Sequence, residues 1–245
     1  MQKICGVVLK NKVFIMKILA IVPAYNESMN IEKTVTNLMS CGVSLDYVII
    51  NDCSTDNTLE VLKEKGLNHI SLPINLGIGG GVQTGYKYGV EHGYDIIIQQ
   101  DGDGQHDPKY IKDVCAPIIN GEADIVIGSR FITKEGFQSS GTRRIGINFL
   151  SWLIKLKCGT VVKDVTSGYR AVSNKYSRFF AKHYPQDYPE PEAIVSATLA
   201  GARVREVPVV MKDREFGTSS INLKRSIYYM IKVSLAIFLC KKECV

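Results

Sequence analysis

Ile96-Ile97-Ile98-Gln99-Gln100-Asp101-Gly102-Asp103-Gly104-Gln105-His106-Asp107-Pro108 is an apolar run that stops in two carboxylates two residues apart. An uninterrupted apolar run of this length suits a strand buried on both faces of a parallel sheet. Side chains alternate along an extended strand, so Asp101 and Asp103 are expected to point the same way, with Gly102 leaving room for a ligand. Two hard oxygen ligands on one side suit Mg²⁺ or Mn²⁺, completed by water and substrate phosphate. The same residues also fit an acidic, glycine-rich turn into a helix starting at Pro108, and D-x-D spacing alone does not separate the two.

Further apolar, β-rich runs at 18–22, 47–50, 69–72 and 125–127 alternate with helical periodicity at 30–40, 55–64, 80–93 and 108–119. That alternation predicts an α/β fold, a Rossmann-like, mostly parallel sheet with helices on both faces. Ligands of such sheets sit outside the carboxyl ends of the strands, where 23–27, 51–56, 75–81 and 101–107 fall. Beyond Ser129 a polar, basic stretch at 133–144 reads as a loop and candidate lid. A helix at 147–157, a turn-like 164–170, a helix ending at Ala200 and a strand near 204–210 follow. The chain divides into an N-terminal extension (1–16), one domain (17–220) and a C-terminal apolar, basic helix (221–245).

The net charge of +6 suits anionic substrates or an anionic membrane surface, but no lysine or arginine run makes a nucleic-acid footprint. Seven cysteines without a C-x-x-C pair point to reduced thiols in the cytosol. Lys10-Asn11-Lys12 breaks the N-terminal apolar stretch too early for a signal peptide, and Met16 is an alternative start. Residues 226–240 are apolar with basic flanks Lys224, Arg225, Lys241 and Lys242. They are shorter than the roughly 20 residues a bilayer span needs. An interfacial helix and a helix packed on the sheet or a partner subunit both fit.

The strand-end segments carry complementary chemistry. Pro23, Tyr25 and Glu27 offer an aromatic face and a carboxylate fit for a nucleoside, and Asp52 an acceptor for a base imide or ribose hydroxyl. Asn75-Leu76-Gly77-Ile78-Gly79-Gly80-Gly81 permits close backbone approach of an anion to a helix start. It contains Gly77-x-Gly79, as dinucleotide-binding oxidoreductases do, but follows the third strand and lacks a Walker lysine. Asp56, and less readily Asp52, also fits a helix cap.

Val22-Pro23-Ala24-Tyr25-Asn26-Glu27, Asn51-Asp52-Cys53-Ser54-Thr55-Asp56, the Asn75 loop, Asp101 to Pro108, Gly128-Ser129-Arg130-Phe131, Thr166-Ser167-Gly168-Tyr169-Arg170-Ala171 and Arg214-x-x-Gly217-x-Ser219 follow one another in an order that resembles the family 2 glycosyltransferases of the GT-A fold. The nearest branches are the dolichyl- and polyprenyl-phosphate sugar synthases and the bacterial envelope-glycan transferases. The resemblance implies that Pro23, Tyr25, Glu27 and Asp52 bind the nucleoside, with Asn75 and Gly77 in the loop beside them. It implies that Asp101, Asp103 and Gln105 surround Mg²⁺ or Mn²⁺ on the donor diphosphate, and that Arg130 and Arg214 face that diphosphate. It implies an inverting displacement, with Glu190 as first and Glu192 as second candidate for a general base. The expected substrates are a nucleotide-sugar donor and a lipid-linked or polysaccharide acceptor of the cell envelope; bare polyprenyl (dolichyl) phosphate is the alternative acceptor. A non-catalytic sugar-nucleotide-binding subunit of a membrane complex is the reading from another class. The expected setting is the cytoplasmic face of the cell membrane, with peripheral membrane contact or a small membrane-protein partner at the C-terminal helix, and a homo-oligomer is compatible.

Overall fold

The computed structural model describes residues 6–9, 12–133, 135, 136, 138, 141–212 and 223–241. An antiparallel hairpin of β1 (Gly6–Leu9) and β2 (Lys12–Ile15) forms a sheet of its own. The main sheet comprises β3 (Ile18–Ala24), β4 (Asp46–Asn51), β5 (His69–Ser71), β6 (Ile96–Gln99), β7 (Ile125–Ser129), β8 (Arg170–Ser173) and β9 (Val204–Pro208). Their spatial order is β5-β4-β3-β6-β8-β7-β9, parallel throughout except for β8, which is antiparallel to both neighbours.

Helices α1 (Ile31–Met39), α2 (Thr58–Glu64), α3 (Gly77–Glu91), α4 (Ile111–Ile119), α5 (Gly141–Cys158), α6 (Asn174–Lys182), α7 (Pro189–Leu199) and α8 (Leu223–Leu239) cover both faces. Alternation along β3 decides which face each residue serves. Ile18, Ala20 and Val22 pack with Val35 and Leu38 of α1, Leu62 of α2 and Val114 of α4. Leu19 and Ile21 join Val82 and Tyr86 of α3 in the core that also takes α5, α6, α7 and α8. Glycines set how close α3 comes: a Cβ at Gly85 would lie 2.8 Å from Ile21 Cβ, and one at Gly89 2.3 Å from Ile97 Cδ1. Gly85→Val is therefore expected to cost about 1–3 kcal/mol by overpacking. Thermal unfolding checks this, and an unchanged midpoint would contradict the close contact.

Two expectations are corrected here. The stretch 164–170 is not only a turn, because Arg170 opens β8, and α6 follows it directly. Four residues led by an arginine give too short a period-two signal to read as a strand. Helix α5 starts at Gly141, so Arg143 and Arg144 belong to a helix and not to the basic loop; residues 134, 137, 139 and 140 of the candidate lid lie outside the described residues.

From β3 the chain passes through α1 to β4 on one side, and α3 later returns it to β6 on the other side of β3. The strand order thus reverses between β3 and β6, the place where open α/β sheets bind ligands.

Candidate active site

At the carboxyl ends of β3 and β6 lies a cavity of about 520 Å³. It is lined by Pro23, Tyr25 and Glu27 after β3, Asp52 after β4, Asn75 and Gly77 at the start of α3, and Asp101 and Asp103 after β6. Eight of the sequence candidates therefore meet at one opening. Among its described lining residues are four carboxylates, Glu27, Asp52, Asp101 and Asp103, and no lysine or arginine.

Side chains bind these loops to one another. Asn26 takes a left-handed backbone (φ 57°), and its Oδ1 accepts from the Thr55 N–H at 2.8 Å, tying the loop after β3 to the loop after β4. Asp52 is buried; its Oδ1 accepts from the Leu76 N–H at 2.7 Å and its carbonyl from Asn75 Nδ2 at 3.0 Å. It anchors the start of α3 rather than capping α2. Asp56 takes the local role, accepting from the Thr58 N–H at 2.9 Å. Burial pushes its carboxyl up, and hydrogen bonds from Thr58 and Ser28 outweigh that and hold it below the usual range. Gly77 needs its left-handed φ of 74°, whereas Gly79 serves packing, since a Cβ there would meet the Gln186 carbonyl oxygen at 2.2 Å.

Asp101 and Asp103 reach the cavity by a different route from the one expected. Strand β6 ends at Gln99, and the two acids sit in a turn, so strand alternation does not align them. Asp101 is positioned by its neighbours: Oδ1 accepts from Gln99 Nε2 at 3.1 Å, and Oδ2 lies 3.4 Å from His106 Nε2. His106 Nδ1 in turn accepts from the Asp101 N–H at 3.1 Å, which leaves Nε2 as the protonated nitrogen facing the carboxylate. The imidazole is buried and stacked on Tyr169, ring centroids 4.6 Å apart. Asp103, also buried, accepts at Oδ1 from the Gln105 N–H at 3.0 Å. Sequence alone does not single out His106 or Tyr169: His106 stands inside the motif, but its partner lies on another loop.

Three expectations about charged and polar partners change. Gln105 does not line the cavity; its side-chain amide donates to the Lys212 carbonyl at 3.4 Å, so its contribution to Asp103 is through the backbone. Arg130 does not face the cavity either. Its Nε and Nη2 grip Asp164 at 2.7 and 2.6 Å in a buried, bidentate pair, and Nη2 also meets Thr166 at 3.1 Å. Glu192 lies two residues after Glu190 on α7, turned away by the helical period, and lines a separate groove with His183, Ser196 and Leu239. Arg214 lies outside the described residues.

Glu190 stands in the first turn of α7, after Tyr188 in a left-handed conformation (φ 52°). Burial pushes its carboxyl up; Arg170 opposes this, Asp101 adds to it and Arg143 opposes it. Those influences place it within electrostatic reach of Asp101. Arg170, unforeseen from sequence, is buried and donates to the carbonyls of Ser167, Glu190 and Val165 at 2.7, 2.7 and 3.1 Å, which fixes the start of α7.

The donor set fits a hard divalent cation. Asp101 and Asp103 line one cavity as hard oxygen donors, and no cluster of three His, Cys, Asp or Glu able to hold a metal occurs among the described residues. A cation would complete its shell with phosphate and water, as Mg²⁺ and Mn²⁺ do.

Residues 19–181 match the family model described as Glycosyl transferase family 2. The chain is 32% identical over 209 residues to a UDP-N-acetylglucosamine–dolichyl-phosphate N-acetylglucosaminyltransferase of Methanococcus voltae, covering 77% of this chain and 83% of that one. It is 27% identical to an undecaprenyl-phosphate mannosyltransferase of Micrococcus luteus, covering 84% and 88%. Among solved structures, glucosyl-3-phosphoglycerate synthase of Mycobacterium tuberculosis superposes with a TM-score of 0.68 at 18% identity, over 93% of this chain and 81% of that one. Another structure of that synthase holds Mn²⁺, UDP-glucose and phosphoglyceric acid and superposes with a TM-score of 0.63 at 17% identity, over 91% and 79%.

Sheet order, switch-point cavity and kinship define a glycosyltransferase of the GT-A fold, and the oxidoreductase reading of Gly77-x-Gly79 falls. The chain belongs to glycosyl transferase family 2.

Proposed function

We propose that the chain moves a sugar from a nucleoside-diphosphate donor to a polyprenyl phosphate, by a metal-dependent, inverting displacement at the cytoplasmic face of a membrane. The observation that carries the donor half is the lining of four carboxylates without a described base. Such a cavity repels a diphosphate by itself and attracts it once a divalent cation stands between. At 4 Å a unit charge pair is worth about 1 kcal/mol in water and about 4 at an effective dielectric of 20, so an enclosed cavity magnifies both effects. The cation, when bound, supplies charge stabilisation for the departing diphosphate. Asp101 and Asp103 hold it, the buried His106 keeps the Asp101 carboxylate in place, and Tyr25, Glu27 and Asp52 surround the nucleoside. The acceptor half is supported by the activities of the relatives, whose acceptors are dolichyl and undecaprenyl phosphate.

One observation favours a second reading, in which the acceptor is a hydroxyl of a lipid-linked or polysaccharide envelope glycan. Burial raises the Glu190 carboxyl, with Asp101 adding to the rise, which suits a general base for a hydroxyl. An anionic phosphate oxygen needs no such base. Glu190→Gln is expected to leave transfer to polyprenyl phosphate within about threefold, against the roughly 10²–10⁴-fold loss general-base catalysis predicts. If the second reading holds, transfer falls as pH drops through a value above the ordinary carboxylate range, because the raised carboxyl must be ionised to act. Labelled product extractable into organic solvent and labile to mild acid, formed from bare polyprenyl phosphate, supports the first reading. Product formed only on a glycan hydroxyl overturns it.

A further inference from the structure

We infer that α5 and α8 together form a platform that docks on an anionic lipid bilayer. This rests on the polyprenyl-phosphate reading and names the surface that brings the site to its acceptor. On α5, Ile145, Phe149, Trp152 and Leu156 follow one another at spacings of four, three and four, and all are exposed, Ile145 and Leu156 to 72% and 69%. On α8, Tyr228, Ile231, Leu235 and Phe238 repeat at three, four and three, with Phe238 70% exposed. Each stripe lies opposite the buried positions of its own helix, Leu150 and Ile154 on α5 and Val233 and Ile237 on α8.

The two helices lie side by side. A Cβ on Gly146 would meet Met230 Sδ at 3.1 Å, and Lys157 Nζ donates to the Phe238 carbonyl at 2.7 Å. The two stripes therefore make one apolar surface, larger than scattered exposed residues explain.

Charge selects the occupant. Lys155, Lys157 and Lys232 flank the stripes, Lys232 also reaching Asp187, and neither helix contains an aspartate or glutamate. Two copies of such a face repel one another, whereas anionic headgroups attract it and the apolar side chains enter the acyl boundary. Trp152 and Tyr228 are side chains that favour that boundary. The platform also borders the start of α7: the Tyr229 ring of α8 meets Tyr188 edge-on with centroids 4.7 Å apart, and Lys232 reaches Asp187. Docking by this face would bring the start of α7 near the headgroup level, where a polyprenyl phosphate presents its phosphate.

Trp152 is the sole tryptophan of the chain, so it reports on the contact directly. The full chain is titrated with phosphatidylcholine vesicles with and without phosphatidylglycerol. The expected result is a blue shift of Trp152 emission and quenching by brominated lipid on the anionic vesicles alone, weakened by salt. In flotation, Phe149→Glu on α5 and Leu235→Glu on α8 are each expected to weaken binding about tenfold or more, with unchanged circular dichroism. Unshifted emission, wild-type flotation of the α5 variant, or a dimer in light scattering that fails to float would each overturn the platform. Transfer to a short, water-soluble prenyl phosphate separates the two claims. Both variants are expected to keep it, and its absence in a wild type that floats would strike the acceptor reading and not the docking.

Discussion

Asp103→Asn is expected to lower transfer on the order of a hundredfold or more, since several kcal/mol of charge stabilisation on the leaving diphosphate are at stake. The replacement is nearly isosteric, and its amide oxygen still accepts from the Gln105 N–H, so the buried turn keeps its shape. What changes is charge: the lining goes from four carboxylates to three, and Asp101 is left without its fellow acid. Excess Mn²⁺ is expected to recover part of the loss, because the defect lies in holding the cation. Steady-state rates against metal concentration check this, with circular dichroism as the control for folding. Wild-type turnover in Asp103→Asn would remove the metal assignment.

Asp164→Ala is expected to have the largest effect on stability, about 3–5 kcal/mol, because it leaves the Arg130 guanidinium buried without its partner. For a chain of this size that corresponds to a midpoint lowered by roughly 6–20 °C. Arg130→Met combined with Asp164→Leu replaces the pair by apolar groups of similar volume and is expected to recover most of the loss. Chemical denaturation of the singles and the double checks both statements. A cost below about 1 kcal/mol for Asp164→Ala would mean that the pair is not the buried anchor its geometry describes.

The difference between these two sites marks what the sequence discloses. Strand-end loops were legible because each joins an apolar run to chemistry at a fixed offset, and the sheet collects such ends on one edge. Pro23, Tyr25, Glu27, Asp52, Asn75, Gly77, Asp101 and Asp103 were found this way, and all line one cavity. Partners from elsewhere in the chain were not legible. Asp164 lies 34 residues from Arg130, and nothing local shows that this arginine is engaged inside the protein. Tyr169 reaches His106 only because the short antiparallel β8 brings its loop beside β6. The resemblance ranks Glu190 before Glu192, but only α7 shows that its helical period parts them and sends Glu192 to the groove beside α8.

Metal-dependent sugar transfer is tested most directly by nucleoside diphosphate release from a panel of nucleotide sugars, with Mn²⁺ or Mg²⁺, in the presence and absence of polyprenyl phosphate. Release from one donor that needs the cation and rises with the lipid phosphate is the predicted result. Release from no donor with either metal, or release unaffected by chelation, would contradict it.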